Sequence, residues 1–171
     1  MKTNLDKDFP SLRIGYEAVK DSLNNQRQVV QDYINRAITL LSIATAVIGI
    51  GVPLLYAQNI TKLYLFKPYI PLTTLSAVPI LAWGVAVYYS CGVLKKESLT
   101  TIDNPSIIKD EFVTLTENKF YSDMIQHIDN AFKENEKIVK RKADNLRPLV
   151  WWVIIETVMV VLLAIAFSAL A

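Results

Sequence analysis

One acid, Glu156, stands inside the apolar stretch that closes the chain. From Leu149 onward it is the only ionisable side chain. That run is long enough to cross a hydrocarbon core of about 30 Å at about 1.5 Å rise per residue. An ionisable group at such depth is costly, and it marks an ion or proton path or pairs with a polar neighbour. Glu156 lies roughly 10 Å below the start of the run at helical rise. At similar depth the other apolar blocks offer Ser42, Thr45 and Tyr88. Two chemistries follow. A protonated carboxyl hydrogen-bonded to one of these three is a structural arrangement. A ring of carboxylates from several copies, lining a water-filled pore, would instead attract cations. On the second reading the pore-lining residues are Glu156, Trp152, Met159, Val160 and Leu163. The apolar members make a narrow, easily dewetted conduit, which suits a channel held closed until triggered.

A second group with chemical potential is the basic run Lys133, Lys137, Lys140 and Arg141, whose three- and four-residue steps share one helical face. Such a face attracts anionic headgroups. Repeated in several copies it forms a cationic ring for the phosphates of a nucleotide or oligonucleotide. Glu134, Glu136 and Asp144 dilute that field. Nothing points to an enzyme or a cofactor. The single histidine, His127, has no second histidine or cysteine at metal-ligand spacing, so it reads as a surface or interhelical residue. There is no glycine-rich phosphate loop and no nucleophile elbow. One cysteine, Cys91, excludes an internal disulfide framework and fits a chain facing a reducing compartment. Packing inside a span is its expected role, with acylation near Lys95 and Lys96 as the alternative.

The elements that position these groups follow from charge segregation. Of 171 residues, 52% are hydrophobic, yet no charged side chain falls between Arg36 and Lys62 or between Lys67 and Lys95. Two further apolar blocks therefore reach spanning length. The net charge of +2 gives no reason to expect a nucleic-acid-binding surface. The expected fold is an all-α membrane protein with three transmembrane helices and with N-terminal and inserted cytoplasmic helices, coiled-coil-like and oligomeric. Its divisions are an amphipathic helix over 1–36, transmembrane helices over 37–57, 69–94 and 148–171, an outer loop over 58–68 and a helical insertion over 95–147. No short apolar core with a small-residue cleavage site opens the chain, so the first span is expected to target the protein itself.

Before the first span, Leu12, Tyr16, Val19, Leu23, Gln26, Val30, Tyr33 and Ala37 step by fours and threes, a heptad-type seam. Gln26 interrupts it, either fixing register in an oligomer or facing solvent. Within the span, Ser42 with Ala46 and Thr45 with Gly49 have the spacing that lets helices approach closely. Pro53 is expected to bend its outer end, and Pro79 to kink the second span. Asn59, Ile60 and Thr61 match a glycosylation acceptor in the connection. The insertion carries ten basic and ten acidic residues. A short amphipathic helix is expected on Ile107, Ile108, Phe112, Val113 and Leu115. A longer one is expected on Tyr121, Ile125, Ile128, Phe132, Asn135, Val139, Lys142 and Leu146. The two stripes of matching period should pack on each other or on copies of themselves. Tyr88, Tyr89, Trp151 and Trp152 form an aromatic belt. Basic residues near the span ends place the chain in the inner (cytoplasmic) membrane, N-terminus inside and C-terminus outside.

With the passage FKENEKIVKRKADNLRPLVWW, running from a charged helix into the last span, this layout resembles small multi-span membrane effectors of bacterial antiphage defence. The resemblance implies a homo-oligomeric ion channel or pore, gated through its cytoplasmic helices by a nucleotide signal, with a defence-system protein as partner beside the lipid bilayer. It carries over no nucleotide-binding residue. The alternative is a non-conducting membrane scaffold that recruits a cytoplasmic partner through stripe positions such as Ile128 and Phe132.

Overall fold

The computed structural model describes residues 10–55, 57, 69–100 and 117–169. The outer connection with Asn59, Lys62 and Lys67, and the short helix expected on Ile107 to Leu115, lie outside the described residues. Those described are helical apart from residues 95–100, with no strand: α1 runs Pro10–Ala46, α2 Tyr69–Leu94 and α3 Glu117–Ala169. Each carries a stretch long and apolar enough to cross a membrane, within Ile14–Leu55, Ala77–Leu94 and Lys119–Ala166 respectively. That is compatible with a multi-pass membrane protein. The amphipathic segment and most of the first span share one helix, because no Gly or Pro interrupts the pattern between Ser11 and Ala46 except Gly15.

Past Ala46 the chain tightens no further but widens: Val47–Gly51 is a π-helical turn, with the amide of Val52 donating to the carbonyl of Val47. Pro53 supplies the reason. It has no amide to complete an α-helical bond, and a shift to wider spacing absorbs the missing donor where Gly49 and Gly51 resist least. Residues Val52–Leu55 then continue as helix. Pro79 sits inside α2 with its ring buried, and Pro148 sits inside α3.

The described residues cluster into two compact units. The first comprises Met1–Gln31 with Glu97–Lys140. Here the heptad-type stripes pack on each other within the chain: Leu23 is buried with Ile128 and Ala131, and Tyr16 and Val19 close the edges. The rings of Tyr16 and Tyr121 meet at 5.7 Å. Gln26 does not face solvent. It is half-buried, and its Nε2 donates to the backbone carbonyl of Phe132 at 3.3 Å.

Unit two comprises Asp32–Lys96 with Arg141–Ala171. Its core joins Ala37 and Ala44 of α1, Ala86 and Val93 of α2, and Leu146, Leu149 and Val153 of α3. The alanines let backbones approach, which matters in lipid, where packing rather than hydrophobicity drives helix association. The small-residue pairs noted from spacing are not part of this core. Ser42, Thr45, Ala46 and Gly49 are all exposed, and a Cβ on Gly49 would meet nothing within 4 Å. Large apolar side chains cover the outside, among them Ile38, Ile43, Leu81, Ile154, Val158 and Leu162. An apolar exterior around a small-residue interior is the arrangement that hydrocarbon surroundings favour. Tyr88 is exposed and meets Tyr89 edge-on at 5.4 Å, and Trp151 is exposed while Trp152 packs against the core.

Candidate functional site

The inward stripe of α3 reads Leu146, Leu149, Val153, Glu156 and Leu163, all buried, in steps of three, four, three and seven. Glu156 thus occupies a core position. It is fully enclosed, and neither carboxylate oxygen has a hydrogen-bond partner among the described residues. Those three hydroxyls matched to it by depth are engaged elsewhere or turned out. Ser42 donates to the Ile38 carbonyl at 2.8 Å, Thr45 accepts from Trp83 Nε1 at 3.3 Å, and Tyr88 is 74% exposed. Depth alone failed because each sits on the wrong face of its helix. On the neighbouring turn, Thr157 Oγ1 bonds back to the Val153 carbonyl at 2.8 Å. A buried carboxyl without partners forfeits about 1–3 kcal/mol, and more if ionised.

The residues expected to line a pore with it share its inward face. Leu163 is buried, while Trp152, Met159 and Val160 are half-buried. Val160 packs against Gly51 of the π-helical turn, 3.6 Å from where a Cβ would stand. In a single chain this set therefore faces the chain's own first and second spans. The face turned outward instead carries Trp151, Ile154, Ile155, Val158, Leu162 and Ile165.

The basic run divides. Lys133, Lys137 and Lys140 are exposed on α3 in the first unit, and Arg141, also exposed, belongs to the second. Lys133 is committed to Asp129, one helical turn back, in an exposed ion pair at 2.5 Å. His127 is exposed on the same helix. Cys91 is exposed too, contrary to the expected packing role.

Two polar residues that the periodicity counted simply as stripe positions do more. Lys142 is 2% exposed, and its ammonium donates to the carbonyls of Val93 and Lys95, at 2.5 and 2.9 Å. These carbonyls close α2, where the last turn lacks intrahelical donors and the helix dipole favours a cation. Lys142 is therefore a capping residue supplied by α3 to the end of α2. Gly92 permits the approach: a Cβ there would stand 2.9 Å from the Asn145 side chain. In the first unit Asn135 is fully buried; its Oδ1 accepts from the Thr100 amide at 2.9 Å and its Nδ2 donates to the Thr100 carbonyl at 3.2 Å. Thr100 Oγ1 also donates to Glu134. Such a two-way amide bond pins the strandless segment after α2. Asn135→Leu is expected to destabilise this unit by about 1–3 kcal/mol. Hydrogen exchange would report it as faster exchange at the Thr100 amide. The sequence signal was available: a lysine and an asparagine at apolar register positions need partners.

No protein-family model, curated protein or solved structure matches the chain. What remains to carry a function is the chemistry of these residues and the layout of the chain.

Proposed function

We propose that the chain is the subunit of a homo-oligomeric membrane ion channel or pore, gated through its cytoplasmic helices, and that the described arrangement is its closed form. The observation that carries this is the unpartnered carboxyl of Glu156, buried in a bundle of three spans. A group that weakens the packing it sits in lowers the cost of moving α3 away from α1 and α2. Once moved, it offers cations a site on a shared axis. Pro148 lies where α3 enters its apolar stretch; without an amide it leaves the Asp144 carbonyl free of its helical donor and permits a bend. Basic residues before the first and third spans and after the second set the N-terminus and the insertion on the cytoplasmic side of the inner membrane. The trigger is a cytoplasmic nucleotide or oligonucleotide on the exposed cations Lys133, Lys137, Lys140 and Arg141, within an antiphage defence system and alongside a partner protein of that system.

Purified protein in liposomes is expected to pass cations when triggered, and Glu156→Gln is expected to change cation selectivity while leaving the fold intact. Liposomes that stay tight under every nucleotide tested, or selectivity indifferent to Glu156, would sink the reading. The scaffold alternative has less to stand on, because Ile128, one of the side chains it needs for a partner, is buried against Leu23 in the same chain.

A further inference from the structure

On the second unit, α1 and α3 leave an open groove of about 440 Å³ lined by Asn35, Arg36, Thr39, Leu40, Leu146 and Val150. Its volume is within the ~300–1,000 Å³ of small-ligand sites. The chemistry changes along its length. Arg36 is the last charged residue before the first span, and the next after it is Lys62. On α3 the apolar stretch begins at Leu149, directly after Arg147 and Pro148. The groove therefore straddles the level at which both helices lose their charges, with a cationic and amide mouth and an aliphatic floor of Leu40, Leu146 and Val150. Arg36 is exposed and has no carboxylate partner among the described residues. Thr39 spends its hydroxyl on the Asn35 carbonyl at 3.0 Å, which leaves its methyl to the apolar side.

We propose that this groove is a binding site for one anionic phospholipid, its phosphate on Arg36 and an acyl chain laid along Leu40 and Val150. Charge complementarity selects the occupant. A guanidinium matches a phosphate bidentately, and basic pockets between spanning helices select anionic over zwitterionic headgroups. The inference stands on the three spans and the groove and does not depend on conduction.

The test titrates detergent-purified protein with phosphatidylglycerol or phosphatidylcholine and reads bound lipid by native mass spectrometry. Phosphatidylglycerol is expected to bind about fivefold more tightly, the preference that one basic residue near an anionic headgroup supplies. Arg36→Gln should abolish that preference, Arg36→Lys should keep most of it, and Val150→Trp should weaken phosphatidylglycerol binding by filling the floor. Glycerol 3-phosphate should not compete, since it lacks the acyl chain. Equal binding of the two lipids by the unaltered chain would overturn the proposal. So would an undiminished preference in Arg36→Gln, or full competition by glycerol 3-phosphate. Circular dichroism of each variant separates loss of the site from loss of the fold.

Discussion

Replacing Glu156 with leucine is expected to stabilise the spanning unit by about 1–3 kcal/mol while eliminating cation flux. The carboxyl occupies a core position between Val153 and Leu163 and is fully enclosed, with neither oxygen hydrogen-bonded to a described residue. Leucine is close in size and removes the unsatisfied polar atoms. Glutamine keeps polar atoms without partners, so Glu156→Gln should leave stability near that of the native chain while altering selectivity. The pair separates the two contributions, and thermal unfolding in detergent measures the first. If Glu156→Leu lowers the unfolding midpoint, the carboxyl is paired in the folded protein and its proposed role in a weakly held closed form is wrong. Gain of stability with loss of function is the usual signature of a residue kept for activity.

Lys142→Met should act in the opposite direction and cost about 2–4 kcal/mol. The ammonium is enclosed and donates to the carbonyls of Val93 and Lys95, at the end of α2 where helical donors run out. Methionine fills much of the same space but leaves both acceptors without that donor, and hydrogen bonds from charged donors are the stronger kind. The effect should be local first. The Lys95 amide, bonded to the Cys91 carbonyl at 2.9 Å, is expected to lose hydrogen-exchange protection before the middle of α2 does. A methionine variant with native stability and native protection at Lys95 would show that the cap carries no weight. Lys137→Met, five residues earlier and exposed, serves as the control and should be neutral in stability.

Charge segregation made the class of this protein legible from its residues. Long stretches without ionisable groups between Arg36 and Lys62, and between Lys67 and Lys95, leave hydrocarbon-spanning helices as the economical reading, because helices satisfy their own backbone. The four-and-three stepping from Tyr16 to Leu23 and from Tyr121 to Ile128 likewise announced two helices with matching apolar stripes. The same segregation marks Glu156, the one ionisable side chain from Leu149 onward, as unusual.

What periodicity could not supply was the partner of each face. A stripe has the same spacing whether it meets its own chain or a copy, so only the packing of Leu23 on Ile128 and Ala131 decides for the former. Depth along a helix says nothing about azimuth, which is why Ser42, Thr45 and Tyr88 matched Glu156 in level yet lie elsewhere around their helices. By spacing Lys142 is one more stripe position, because its role depends on carbonyls 47 and 49 residues earlier in the chain. Tertiary structure alone could turn a cation in a stripe into a cap and a solitary acid into an enclosed one, since both outcomes depend on which helix stands opposite.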